Sequence, residues 1–140
     1  MELIKIETVV SVPLEKAWEI WTTPEHVEKW NHASDDWFTP KAENDLRSGG
    51  KFNYRMEAKD GSFGFDFWGI YDEIIIQRLI SYTLGDGRKV TINFSSVGDY
   101  SIVEEVFEPE TTNSIELQKT GWQAILDNFK NYAENIHHSF

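Results

Sequence analysis

Residues 121–136 read GWQAILDNFKNYAENI, and this stretch decides the fold. Trp122, Ile125, Leu126, Phe129, Tyr132, Ala133 and Ile136 recur at helical spacing and form one wide apolar stripe. Gln118, Lys119, Asp127, Lys130 and Asn131 mostly avoid it. Asn113 with Glu116 three residues on resembles a capping box in which Asn replaces Ser or Thr, so the helix is expected to start there. A stripe this wide must be buried, and only a sheet elsewhere in the chain offers the surface.

That sheet is legible upstream. From Lys51 the apolar period is two: Phe52, Tyr54, Met56 and Ala58 alternate with Asn53, Arg55 and Glu57. Phe63, Phe65, Phe67, Gly69 and Tyr71 share one face of a long strand. Further strands are expected over Leu79–Leu84, around Val90–Phe94 and over Ser101–Phe107. Asp60-Gly61 and Asp86-Gly87 read as two-residue hairpin turns with positive φ at both central positions, and Gly98-Asp99 as a glycine-first turn. Tight turns between consecutive strands make an antiparallel meander. Before it, Leu3–Val10 alternates as a first strand, with Ile4, Ile6, Thr8 and Val10 on one face. Pro13 suits the first turn of a helix carrying Leu14, Ala17, Trp18 and Trp21. Thr23-Pro24-Glu25 reads as the cap and first turn of a second helix running to Trp30. Residues 31–50 show little periodicity and read as a binding loop or a loosely ordered segment, and within them residues 31–37 are a candidate lid over the cavity mouth. The expected fold is α+β, a curved antiparallel sheet wrapped around a long C-terminal helix, with two short helices after the first strand, in a single domain over 1–140.

Composition narrows the function classes. The 140 residues suit one core. With no cysteine, disulfides, thiolate metal sites and cysteine nucleophiles are excluded. Thirteen basic against 24 acidic residues leave a charge of -11, which repels phosphate backbones and anionic lipid, so neither nucleic acid nor a membrane surface is expected as partner. The charged N-terminus is unlike a signal peptide, and the cytoplasm is the expected location. An aromatic share of 14% argues against disorder.

Chemistry-bearing motifs are sparse. His26 and His32 fit no ligand spacing, and His137-His138 reads as a frayed tail, so no metal is expected. Asp35-Asp36 reads as a solvated turn. Ser48-Gly49-Gly50-Lys51 lacks phosphate-loop spacing and precedes a strand. No nucleophile elbow occurs, and no catalytic residue or cofactor is assigned. Glu105 stands out. Its strand neighbours Val103 and Phe107 put it on an apolar face, where desolvation would raise its pKa. Trp68 is out of phase with Phe65 and Phe67 and is expected to face outward beside Ile70, as a candidate contact for a second copy or a partner. Gly121, inside the helix, suggests close approach of a strand, ring or ligand.

Several pieces taken together resemble a known family. They are Val12-Pro13-Leu14-Glu15-Lys16-Ala17-Trp18, Trp21-Thr22-Thr23-Pro24-Glu25, Trp30, Gly49-Gly50-Lys51-Phe52, Gly69-Ile70-Tyr71, Phe107-Glu108-Pro109-Glu110 and Gly121-Trp122. In order, and across nearly the whole chain, they look like the START-like (SRPBCC) superfamily. Within it, the chain is similar to stand-alone bacterial proteins related to the C-terminal domain of the activator of the heat shock protein 90 ATPase. The resemblance implies a helix-grip fold with a cavity between sheet and helix, and it brings no shared catalytic residue. One departure is visible: members often carry proline in the turn after the long strand, where this chain has Ile74-Ile75-Ile76-Gln77-Arg78.

Three functions follow as expectations. The first is non-enzymatic binding of a small hydrophobic or amphipathic ligand, since large rings on a curved sheet leave space. The residues expected to line that space are Tyr54, Met56, Phe65, Phe67, Tyr82, Phe94, Glu105, Phe107, Trp122 and Ile125. The second, implied by the resemblance, is a co-chaperone-like partner of a chaperone ATPase; the eukaryotic homologue has an additional N-terminal domain for which this chain has no room. The third is a small-molecule enzyme using Glu105 as acid or base, and it is the weakest because that carboxylate has no positioned partner in the sequence.

Overall fold

A computed structural model describes residues 2–138 of the chain; residues 1, 139 and 140 and the side chain of His138 lie outside that set. The elements are β1 (Ile4–Val10), α1 (Leu14–Thr22), α2 (Pro24–Trp30), β2 (Trp37–Asn44), β3 (Lys51–Ala58), β4 (Gly64–Ile75), β5 (Leu79–Leu84), β6 (Lys89–Val97), β7 (Tyr100–Phe107) and α3 (Ile115–His138). The strands form one seven-stranded sheet in the order β1-β7-β6-β5-β4-β3-β2. Every neighbouring pair is antiparallel. The sheet curls, and α1, α2 and α3 occupy its concave side. This is the α+β architecture that the strand and helix periods predict, and the helix-grip fold that the resemblance implies.

Four local expectations need correction. Residues 37–44 are a strand, not a loop. A register shift between Phe38 and Lys41 interrupts the alternation of β2, so its buried residues are Thr39 and Ala42, three apart. Pro40 is tolerated because β2 is an edge strand. The Asp-Gly turns are longer than two residues, since β3 ends at Ala58 and β4 starts at Gly64, while β5 ends at Leu84 and β6 starts at Lys89. Of each Asp-Gly pair only the glycine, Gly61 or Gly87, has positive φ. Gly98-Asp99 is the one genuine two-residue connection. The cap of α3 is Ser114, whose Oγ accepts a 3.1 Å bond from the Leu117 N–H, and not Asn113. The helix then runs through His137 and the His138 backbone rather than fraying before them.

What fastens the helices to the sheet is a group of rings. Phe129, fully buried on α3, meets Trp21 of α1 edge-on at 4.8 Å and Trp30 of α2 at 5.1 Å. Trp21 and Trp30 lie 4.8 Å apart, and Trp21 reaches Phe94 of β6 at 5.9 Å. The Trp30 indole N–H donates to the Ile20 carbonyl at 3.1 Å, which removes the cost of burying it. Along its other side α3 lines the free edge of β1. Lys130 Nζ donates to the Val9 carbonyl (2.7 Å), Gln123 Nε2 donates to that of Glu7 (3.3 Å), and Glu134 accepts from the Ser11 N–H (2.9 Å). These bonds satisfy an otherwise open strand edge.

The two ends of α3 therefore differ. Leu126, Phe129 and Ala133 are fully buried, whereas Ile115 and Leu117 are exposed and Trp122 and Ile125 half-buried. At the turn after β4, Gln77 adopts φ +63 and the Arg78 N–H closes onto the Ile75 carbonyl at 2.9 Å. A left-handed backbone costs a non-glycine residue about 1–2 kcal/mol.

Two stability outcomes follow. Phe129→Ala should lower the unfolding free energy by about 3–5 kcal/mol in urea titration, while Leu117→Ala on the same helix should change it by under about 0.5 kcal/mol. Gln77→Gly should raise it by about 0.5–1 kcal/mol, the relief of left-handed strain less the entropy that glycine adds to the unfolded chain.

Candidate functional site

Between the N-terminal half of α3 and the sheet lies a cavity of about 370 Å³. This falls within the range of small-molecule sites. The floor comes from β3, β4 and β5, whose inward residues pair across strands: Tyr54 with Phe67, Met56 with Phe65, and Tyr71 with Tyr82. The roof is Leu117, Gln118, Gly121, Trp122 and Ile125 of α3. Trp21 and Trp30 close the end toward the ring group.

Trp122 sets the height of the roof. Its ring stacks flat on Phe107 at 3.9 Å and meets Phe67 edge-on at 6.0 Å, so an indole stands between helix and sheet as a spacer. Beside it, Gly121 faces open space: a Cβ there would meet no atom within 4 Å. The expectation that a strand or ring crowds this glycine is thus wrong, and its missing side chain enlarges the cavity instead.

Of the ten residues expected to line this space, Tyr54, Met56, Phe65, Phe67, Tyr82, Glu105, Trp122 and Ile125 do so together. Phe94 and Phe107 do not. Phe94 is buried under α1 against Trp18 at 5.1 Å, and Phe107 is wholly covered by Trp122. Parity identifies the inward face of a strand but not which part of it a helix covers. The sequence reading missed Tyr71 and Ile80, which parity supports, and the rings Trp21 and Trp30, which nothing in the pattern separates from core. It placed Gln118 off the apolar stripe and gave it no role in the cavity. This side chain is buried and pins the segment before α3, accepting from the Glu110 N–H (2.8 Å) and donating to the Glu110 (3.1 Å) and Asn113 (2.8 Å) carbonyls.

The cavity wall is largely apolar, with one buried carboxyl and three phenols among its rings. Glu105 is only 5% exposed and sits in the sheet between Ile6 of β1 and Ile92 of β6. Burial alone pushes its carboxyl up to about 8; among the described residues no hydrogen bond or cation offsets it. The Tyr54 and Tyr82 phenols are driven well above their usual value by burial first and by the nearby Glu105 charge as a further cause. Tyr71, whose hydroxyl faces those of Tyr54 and the Asn44 amide, is pushed up to about 12, mainly by burial. Arg88 borders the cavity, but its Nε holds Asp86 at 2.8 Å.

The remaining candidates lie elsewhere. Of residues 31–37, only Asn31 reaches the cavity, its side-chain amide donating to Thr39 Oγ1 at 3.3 Å. Trp37 packs against Phe63 (6.0 Å) and Phe65 (5.9 Å), so the segment feeds β2 and does not form a lid. His26 Nδ1 bonds the Tyr132 hydroxyl at 2.7 Å, and burial lowers the pKa of His32. Among the described residues, no three His, Asp or Glu side chains gather as a metal would require. No helix of the described residues is long and apolar enough to cross a membrane. Trp68 faces outward as expected and is 38% exposed, yet its ring lies on Gly85, with Lys51 Nζ 4.7 Å from the ring centre.

Glu105 makes stability depend on pH. Its folded-state value lies above the ordinary 4.5, so the folded protein keeps a proton that the unfolded chain has lost. The side chain's contribution is therefore full below about 4.5 and declines as pH rises toward 8. Glu105→Gln should be close to wild type in stability at about pH 5 and more stable by about 4 kcal/mol at about pH 9, read from urea midpoints across that range.

The comparisons with known proteins agree with this fold. The family model for Activator of Hsp90 ATPase homolog 1-like protein matches residues 11–134. The solution structure of the AHSA1-like protein from Aeromonas hydrophila superimposes with a TM-score of 0.92 at 40% identity, covering 97% of this chain and 94% of that one. Chr148 from Cytophaga hutchinsonii is 50% identical with a TM-score of 0.82, covering 98% and 95%. NE0264 from Nitrosomonas europaea shares the fold at 16% identity, with a TM-score of 0.82 over 99% and 97%. The search of curated proteins finds no match. With the family model spanning most of the chain and two solved relatives above 30% identity, the chain belongs to the Activator of Hsp90 ATPase homolog 1-like family.

Proposed function

We propose that this domain binds a small apolar or amphipathic molecule between β3–β5 and the N-terminal half of α3. The observation that carries the reading is the cavity of about 370 Å³ at that place, walled by aromatic rings and open beside Gly121. Affinity would come from apolar burial, at about 25 cal/mol per Å² of surface removed from water. Tyr54, Tyr82 and Glu105 would orient a polar group of the ligand, because their polar tips sit among the rings of a largely apolar wall.

Two other readings have less support. The family description includes activation of a chaperone ATPase, a property of the proteins it is named for. Such a partner would use surface residues such as Trp68 or the acidic face; Trp68 is partly covered by Gly85 and Lys51 of its own chain, which also weakens a homodimer built on it. Catalysis by Glu105 lacks a neighbouring nucleophile, base or metal set among the described residues.

Titration with the neutral fluorophore N-phenyl-1-naphthylamine tests the cavity directly. Wild type should bind one equivalent with enhanced emission. Gly121→Leu, which fills the space from the helix side, should weaken binding at least about tenfold while raising thermal stability, since glycine costs a helix interior about 1 kcal/mol. Equal affinity in a folded Gly121→Leu would overturn the reading.

A further inference from the structure

Resting on the binding reading above, we infer that the preferred ligand carries a basic nitrogen, and that its ammonium head pairs with Glu105 among the rings of the cavity. Glu105 is a carboxyl buried in an apolar wall and turned into a cavity, with Ile6 and Ile92 as its lateral neighbours. No basic side chain of the described residues pairs with it. An unpaired buried carboxyl is costly, and an organic cation supplied from outside is the ligand chemistry that offsets it most.

The surroundings favour the same charge. Phe52, Tyr54, Phe67, Tyr82 and Trp122 present ring surfaces to the cavity, and aromatic faces attract cations, the more so when water is excluded. Few charged or titratable groups stand around the cavity: Trp21 and Thr22 of α1 and Trp30 of α2 carry none. β3, β4 and β5 contribute only the phenols Tyr54, Tyr71 and Tyr82. β1 and β6 present Ile6 and Ile92 beside Glu105, and α3 contributes Gln118, Gly121, Trp122 and Ile125 without a charge. Arg88 borders the cavity from the β5–β6 loop, paired with Asp86 at 2.8 Å, and Glu110 borders it before α3, held by the Asn113 N–H at 2.6 Å and the Thr112 N–H at 3.2 Å. A carboxylate or phosphate head would find only an already paired guanidinium and would face two acids. A net charge of -11 raises the local concentration of cations and lowers that of anions.

Proton bookkeeping makes the inference measurable. Below about pH 8 the carboxyl is mostly protonated, so capture of an ammonium ion displaces one proton from Glu105. Affinity for an amine should therefore rise about tenfold per pH unit from about 6 toward 8, while affinity for an uncharged analogue should stay flat.

The probes are 4-phenylbutylamine, 4-phenylbutanol and 4-phenylbutyrate, titrated calorimetrically into the full chain. Near pH 7.5 the amine should bind at least about tenfold tighter than the alcohol, and the acid weakest of the three. Glu105→Gln should collapse the amine-to-alcohol ratio toward one, with near-ultraviolet circular dichroism as the check on its fold. An alcohol that binds as tightly as the amine, a ratio that survives Glu105→Gln, or a flat pH profile for the amine in wild type would overturn the inference and leave apolar binding standing. Failure of all three probes to bind would count against both.

Discussion

The packing of Phe129 between Trp21 and Trp30 is the contact on which the rest of the molecule depends. It joins one helix at the end of the chain to two near its start, and through Trp21 to Phe94 on the sheet. Its rings meet edge to face, the arrangement that their quadrupoles favour. Because this anchor lies in the C-terminal half of α3, that half is seated, and side chains of Lys130 and Glu134 tie it along β1. The N-terminal half has no such anchor. It rests on the Trp122 indole, propped against Phe107, and on Gln118, which ties it to the segment before it. A helix fixed at one end and propped at the other leaves a wedge of space, and the cavity is that space.

The same geometry creates a conflict between stability and chemistry. A smoothly filled core would place an aliphatic residue at 105, as β1 and β6 do with Ile6 and Ile92 on either side. The chain keeps a carboxyl there and bears the desolvation cost. It also leaves Gly121 in a helix interior where alanine would be better by about 1 kcal/mol and would clash with nothing. Both departures from the most stable choice fall on the cavity wall. Locally unfavourable residues gathered at one place are the pattern expected of a site kept for binding.

Most of this architecture was legible in the residues. The alternation from Phe52 to Phe107 and the stripe from Trp122 to Ile136 were enough to define a curled meander gripping a helix. Strand β2 was hidden because its bulge spaces the buried Thr39 and Ala42 three apart, breaking the only signal that marks a strand. The site was partly legible. Parity brought Tyr54, Phe67, Tyr82 and Glu105 to one face, and they meet there. It could not say that α1 would cover Phe94, that Trp122 would cover Phe107, or that Gln118 would turn inward, because each depends on where a helix crosses the sheet. Helix placement is a matter of tertiary packing, to which a strand's period is blind.

The central claim is that the open volume lies on the concave side, under the N-terminal half of α3. Intermolecular nuclear Overhauser effects between a small neutral aromatic solute and methyl-labelled protein test it most directly. The account predicts contacts to the methyl groups of Met56, Ile80 and Ile125, which border the cavity, and none to Val10 or Val103, which are sealed in the core. Contacts confined to Ile70 on the outer face, or spread evenly over exposed methyls, would contradict it.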